Sequence, residues 1–528
     1  MEYNMIQSFK DRGNDLFCAA VMVTKADTEK ELSDDFILPD YLPDIKKIVR
    51  TEACPRLGNR FLGSGMLEYE GAVAYKVLYI ADDNSVRCAA FLCDFKNKIV
   101  GEELNEDCVD VLRPVTASLV CRMQNPRKLN IRCKAGVTGA IWQRNSFLPE
   151  LYGARGDEEK SIETKENQID ALNITNHRES GLVFSEDITL DSSHAPIGDI
   201  ICSSAEIYVD ECRSSGNELL LRGVCEFELL YSHAEGEAVT YSLLRKSLPF
   251  SQALDAEQMQ EGATCTAIVL PESCNVNVRE DEFGKRRMVE LDLGYALDIC
   301  ALLPKKMYFC SDCYSVQKEC QTTMLQKNIW RLMDSSRTSF SVNENKALKE
   351  IEGAGIKEVK ACYIHPTLAY EETNANKRPV FTGVAKVNVL GLGEDAQYKS
   401  ISFELPLRLV AETSLYLKEH IFEQNCRAEN IRCRVDDEKL YVDFEIICHT
   451  RILGSEEITA VQVIRMTGET LKKSEKGAVA TLYFPEKGET LFDIAKKYKV
   501  TSADLMARNG LDSIELTPGH ALLIGQKR

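Results

Sequence analysis

The sequence predicts a mainly β protein: three repeated antiparallel β-sandwich-like domains followed by a small C-terminal βααβ module. Three observations predict it. Residues 33–49, SDDFILPDYLPDIKKIV, align without a gap on 185–201, SEDITLDSSHAPIGDII, at an offset of 152 residues. Apolar and polar side chains along the repeated segments alternate with period two, the pattern of half-buried strands. Only near the C-terminus does the apolar period lengthen to that of a helix face.

The repeat holds beyond its opening. The same offset carries GAVAYKVLY (71–79) onto GVCEFELLY (223–231). Across 33–79 the identical positions are Ser33, Asp35, Leu38, Ile45, Ile48, Ala53, Leu67, Gly71, Leu78 and Tyr79. Chance at average composition gives about three such identities. Val73, Tyr75, Val77 and Tyr79 alternate with Ala72, Ala74, Lys76 and Leu78, so one face of this strand points at a core. Gly71 and Gly223 open the strand, and a glycine there predicts a bulge or the close approach of another backbone.

A third copy is more diverged. GVAKVNVL (383–390) supplies the glycine and its strand, with FSV (340–342) and IKEV (356–359) as upstream anchors once insertions are allowed. Downstream, FLCDF (91–95), LPF (248–250) and LPL (405–407) form a leucine-rich segment in each copy. Each copy then ends in an alternating strand: LNIRC (129–133), VELDL (289–293) and LYVDF (440–444). Several strands joined by short polar turns argue for an antiparallel sandwich.

These anchors divide the chain as follows. Residues 1–30 are an N-terminal extension that supplies a strand to the first domain, which runs over 31–148. Residues 149–184 are a linker, 185–318 the second domain, 319–339 a connector and 340–464 the third domain. Residues 465–478 are a second linker before the module at 479–528. The linker readings rest on polar composition, as in EEK (158–160) and ETKE (163–166).

In the C-terminal module Leu491, Ile494, Ala495 and Tyr498 recur at the spacing of one helix face. Thr490 and Asp493 form a capping box at its start, and Thr501 with Asp504 repeats the device before a second short helix. Asn509 and Gly510 end that helix, since both tolerate a left-handed backbone. Strands at 480–484 and 521–524 complete the order.

Composition narrows the function. With 64 Lys and Arg against 82 Asp and Glu, the net charge is −18, which repels a phosphate backbone; no nucleic-acid partner is expected. No run reaches the roughly 18 apolar residues that span a bilayer, so no transmembrane segment is expected. The apolar run at 16–23 lacks a basic leader and a small-residue cleavage site, and reads as a first strand rather than an export signal. The 20 cysteines lie at irregular spacings in strand-like segments, as Cys225, Cys300 and Cys448 do, and read as reduced core residues of a cytosolic protein. Cys310 and Cys313 form one CxxC pair, but zinc wants a second pair or histidines, so no metal is predicted. No nucleophile elbow, HExxH or P-loop occurs, and Gly391 and Gly393 are a lone GxG; neither an enzyme nor a cofactor is expected.

Two resemblances make this specific. The stretch from Gly488, Glu489, Thr490 and Leu491 through Ile494, Ala495, Tyr498, Val500, Leu505, Asn509, Gly510, Leu516, Pro518, Gly519 and Leu522 resembles a LysM domain. That family has a βααβ fold and holds N-acetylglucosamine polymers in a groove between two loops. Carried over, the groove comprises Lys487, Gly488, Glu489 and Thr490 on one side and Asn509, Gly510, Leu511 and Asp512 on the other. Glu489 stands where aspartate is usual, Pro485 where a strand valine is common, and Gly525 where proline is usual. No tryptophan or tyrosine is evident on those loops to stack on a sugar. The second resemblance is LPDYLPDIKKI (38–48), which is similar to the opening motif of SPOCS domains of endospore-forming bacteria.

Several SPOCS domains followed by one LysM resemble the SipL-like family of clostridial spore-coat morphogenetic proteins. The resemblance implies a non-catalytic assembly adaptor in the mother-cell cytoplasm, at the forespore surface and spore coat. Its LysM would dock onto the morphogenetic ATPase of the coat basement, and the β-domains would meet other coat proteins. The alternative is a protein that binds peptidoglycan or N-acetylglucosamine oligomers of the spore or cell wall.

Overall fold

The computed structural model describes residues 14–154, 156–256, 262–351, 355–417, 419–470, 480–511, 513, 516 and 521–525. Alternating sequence becomes strand almost throughout. β1 (Cys18–Ile37), β5 (Val109–Asn125) and β6 (Lys128–Ser146) make one antiparallel sheet in the order β1-β6-β5. β2 (Ile45–Gly63), β3 (Met66–Ala81) and β4 (Val86–Val100) make a second sheet, a consecutive meander. The two sheets face each other across Leu67, Val73, Tyr75, Val77, Leu129, Ile131 and Cys133, the inward halves of the alternating runs.

After the short β7 (Glu150–Tyr152) the plan recurs. β8 (Ile162–Thr189), β12 (Thr264–Glu280) and β13 (Arg286–Ser315) pair in the order β12-β13-β8. They cover the meander of β9 (Ile200–Ser215), β10 (Glu218–Glu235) and β11 (Ala238–Asp255). In the third unit β14 (Lys318–Ala347), β18 (Glu419–Asp436) and β19 (Lys439–Thr470) pair in the order β14-β19-β18. Their meander is β15 (Ile356–Thr373), β16 (Pro379–Gly393) and β17 (Tyr398–Val410).

Strand register confirms the equivalences read from sequence. Gly71 lies opposite Phe95, Gly223 opposite Phe250 and Gly383 opposite Leu407, so the leucine-rich segments occupy one position in all three meanders. The glycines answer to close backbone approach. A Cβ on Gly223 would collide with the Tyr208 carbonyl oxygen, and one on Gly383 with that of Thr367. On Gly71 it would lie 2.6 Å from the Phe95 ring.

Three sequence readings need correction. Residues 162–184, read as linker, belong to β8; residues 319–339, read as connector, belong to β14; and residues 465–470 continue β19. The rest of that second linker, 471–479, lies outside the described residues. The third-copy anchor also shifts. Leu38 and Leu190 donate their N–H to the carbonyls of Arg127 and Arg287, both at 2.9 Å, and Leu348 donates to Glu438 at 2.8 Å. Leu348, not the stretch 340–342, is therefore the equivalent of Leu38.

The supposed linkers are strand because the long strands run on past their own sandwich and pack against the other repeats. Both faces are covered where the repeats meet, as at consecutive Ala171 and Leu172, while Asn167 and Gln168 stay exposed. At one end Leu78, Leu230 and Leu390, equivalent residues of the three meanders, share a cluster with Val86, Tyr241 and Tyr398. Toward the other, Trp142, Leu302 and Leu453 meet with Trp330, and Phe147, Met307 and Ile458 meet beyond them. The repeats are thus arranged about a pseudo-threefold axis.

Polar contacts also cross between repeats. Arg60 Nη1 lies 2.9 Å from Asp110 and 2.6 Å from Asp298, and Arg178 closes on the same two carboxylates. Arg427 similarly bonds Asp210, which also meets His449. Such nearly buried charges are tolerated because each has an opposite partner and hydrogen bonds.

Candidate binding site on the C-terminal module

The C-terminal module consists of β20 (Ala480–Tyr483), α1 (Leu491–Tyr498), α2 (Ser502–Asn509) and β21 (Leu522–Gly525), with β20 and β21 antiparallel. Its core is Leu491, Ile494, Ala495, Leu505, Leu522 and Ile524, the apolar helix face read from sequence plus one face of the two-stranded sheet. One further residue completes that core: Tyr314 of β13, fully buried.

The module therefore docks on the repeats. The Tyr314 hydroxyl donates to the Val500 carbonyl at 2.7 Å, and its ring packs edge-on to Phe492 with centroids 5.2 Å apart. Burial pushes the Tyr314 phenol pKa well up, which keeps it a neutral donor. Around it Lys496 bonds both oxygens of Asp312 at 2.6 Å, the Ser502 N–H donates to Glu163 at 3.3 Å, and Lys165 approaches Asp493 at 3.5 Å. The docked surface comprises α1 and the turn into α2.

Of the predicted groove residues, Lys487, Gly488, Glu489 and Thr490 lie between β20 and α1, and Asn509, Gly510 and Leu511 at the end of α2. Several of them have jobs in the fold. The Thr490 hydroxyl accepts the Asp493 N–H at 3.3 Å while the Asp493 carboxylate accepts the Thr490 N–H at 3.0 Å, the capping box expected. Burial raises the Asp493 pKa, but these bonds outweigh it and hold the carboxyl below its usual range. The Glu489 carboxylate accepts the Glu486 N–H at 2.8 Å and the Tyr483 hydroxyl at 2.8 Å, bonds that lower its pKa.

Asn509 acts as a splice. Its side-chain amide donates to the carbonyls of Leu505 and Leu523 and accepts the Leu523 N–H, tying α2 to β21. Gly510 takes the left-handed conformation at φ 60°, and Leu511 returns its N–H to Met506. Gly488 is also left-handed, at φ 97°. Lys487 is exposed. Asp512 lies outside the described residues.

Sequence reading missed two aromatic residues and an apolar face. Tyr483 reaches the groove loop through its bond to Glu489 and packs edge-on to Tyr498. Phe484, 58% exposed, stands just before the loop, and Leu482 and Leu523, register partners on the sheet, are also exposed. The signal was present: Leu482 and Phe484 share a strand face opposite Tyr483, and a two-stranded sheet covered by helices on one side leaves the other uncovered.

Elsewhere, Cys310 and Cys313 flank a β-bulge in β13 and sit in an apolar cluster with Ile162 and Val461. The thiol contact from Cys310, with burial, pushes the Cys313 pKa up to about 12 against the opposing contact from Cys320, far from that of a reactive thiolate. Among the described residues no group of three or more His, Cys, Asp or Glu side chains converges as metal ligands. Among them, too, no helix is long and apolar enough to cross a membrane.

Comparison with known families agrees with the motifs. The LysM domain family matches residues 486–525, and the SipL SPOCS domain family matches residues 196–279. SPOCS followed by a C-terminal LysM is the SipL-like architecture, that of a sporulation protein built from binding domains. The SPOCS match falls on the second repeat, from just before β9 through most of β12. No curated protein and no solved structure matches the chain significantly.

Proposed function

We propose that this protein is a non-catalytic adaptor of spore-coat assembly, working from the mother-cell side of the forespore. Its LysM domain docks onto the morphogenetic ATPase of the coat basement, and the three repeats offer surfaces to further coat proteins. The observation that carries this reading is the way the LysM is mounted. Its helical face is occupied by Tyr314 and Asp312, while Lys487, Gly510 and the apolar patch at Phe484 stay exposed. An exposed apolar patch rimmed by polar groups suits a protein partner.

Phe484 also keeps the glycan reading in view, because an exposed aromatic beside the groove can stack on a sugar ring. One experiment separates the two. The full chain is used to capture the purified coat ATPase, with and without N-acetylglucosamine oligomers, and a chain ending at residue 478 is run beside it. Capture by the full chain alone, unaffected by sugar, supports the adaptor. Capture by the shortened chain defeats it, and sugar binding that displaces the ATPase favours the wall reading.

A further inference from the structure

Most of the cysteines serve as small core residues, but two meet where repeats join. Cys88 of β4 and Cys202 of β9 come from the first and second repeats, and their sulfurs lie 3.4 Å apart. Both are only partly buried. The contact sits at the apolar end of the pseudo-threefold axis, where the Val86 N–H also donates to the Tyr241 hydroxyl at 2.9 Å. The two sulfurs thus approach across an interface that other contacts already hold in place.

We propose that Cys88 and Cys202 are a disulfide-forming site that links the first and second repeats covalently when the protein meets a diffusible low-molecular-weight disulfide. The roles of the two thiols differ. Hydrogen bonding from Cys88 holds the Cys202 thiol below its ordinary pKa against the opposing effect of burial, and Lys76 adds positive charge nearby. The same contact raises the Cys88 pKa. With Lys76 favouring a thiolate on Cys202 and the Cys88 sulfur only 3.4 Å away, a mixed disulfide formed on Cys202 lies within reach of Cys88.

The exchange balances in two steps. The Cys202 thiolate attacks one sulfur of the oxidant, forming a mixed disulfide and releasing one small thiol. The Cys88 sulfur then attacks Cys202 and releases the second small thiol. The oxidant's disulfide is reduced, the two protein thiols are oxidised, and their two protons leave on the released thiols. Among the described residues, Cys313 and Cys320 meet between the second and third repeats, and other thiol pairs lie within one repeat. Cys426 and Cys448, 2.7 Å apart on paired strands, lie within the third repeat, as do Cys362 and Cys433; Cys212 and Cys265 lie within the second.

The test uses the full chain and does not depend on what the LysM binds. The reduced protein is incubated with oxidised glutathione, free thiols are blocked with N-ethylmaleimide, and non-reduced peptides are mapped by mass spectrometry. The expected result is a linked peptide pair containing Cys88 and Cys202, lost on treatment with dithiothreitol. In Cys88→Ser the resolving thiol is missing, so Cys202 is expected to retain glutathione. Recovery of both wild-type residues as separate blocked or glutathionylated peptides would overturn the proposal, whatever the variant does.

Discussion

The Tyr314 hydroxyl donates to the Val500 carbonyl across 2.7 Å, joining a strand of the second repeat to the turn between the two LysM helices. The ring is fully buried among LysM core residues, so the domain is seated on the repeats by its own hydrophobic core. Tyr314→Phe removes one buried hydrogen bond and leaves a carbonyl without its partner, a cost of about 1–2 kcal/mol. Tyr314→Ala also opens a cavity and costs about 3–5 kcal/mol. Hydrogen exchange is expected to rise in α1 and α2 in both variants, more in the alanine one, with the three sandwich cores unchanged.

The Arg60, Arg178, Asp110 and Asp298 cluster makes a sharper prediction. Asp298 is 3% exposed and faces two guanidinium groups. Asp298→Ala removes one of the two carboxylates that face the nearly buried Arg60, leaving Asp110 as its partner, and is expected to cost about 1–3 kcal/mol in urea unfolding. Asp298→Ala combined with Arg60→Met should cost less than the sum of the two single changes, because the partners couple directly.

Trp142 and Trp330 pack edge-to-face with centroids 5.8 Å apart, one from the first repeat and one from the third. Trp330→Ala is expected to lower stability by about 3–5 kcal/mol. If the repeats unfold as one unit, near-ultraviolet circular dichroism and far-ultraviolet signal shift together. Separate transitions would show that the shared core does not couple them.

Acid should loosen the LysM. Glu489 and Asp493 both have pKa values held below their usual range by bonds to neighbouring N–H and O–H groups. A carboxyl whose folded pKa is depressed stabilises the fold at pH above its unfolded value and loses that contribution as pH falls through the folded value. Unfolded Glu and Asp titrate near pH 4, so the capped helix ends should be intact at pH 6 and weaken below about pH 4. Amide chemical shifts of Thr490 and Glu486 followed from pH 6 to 3 would report it, and Asp493→Asn should flatten the Thr490 response.

Phe484 is the LysM side chain to change for binding. Its exposure predicts that Phe484→Asp moves stability by no more than about 0.5 kcal/mol. As a central contact for a protein partner it would contribute about 2 kcal/mol, roughly a thirtyfold rise in Kd. Titration against the coat ATPase tests this; an unchanged Kd removes the patch from the interface.

Much of the fold was legible in the chain. The repeat glycine, the alternating strand after it and the leucine-rich segment opposite it fall into one register in all three units, because strand pairing repeats whatever pattern the sequence repeats. The LysM helices, their caps and their apolar face were equally plain, since capping boxes and helix periodicity are local signals. The strand at 162–184 was not plain. Its polar composition matches a linker, and only pairing with β13 and the arrival of other repeats against residues such as Ala171 and Leu172 make it a partly buried strand.

The sequence by itself determined three sandwiches and a LysM with two loops, since each is set by contacts between residues near in the chain or in one repeat. Tertiary structure decided how these parts are joined. The pseudo-threefold core around Trp330, the seat of the LysM on Tyr314 and the meeting of Cys88 with Cys202 all pair residues more than a hundred positions apart. No periodicity encodes such pairs. They exist because half-buried faces left over from each repeat can leave water only against one another.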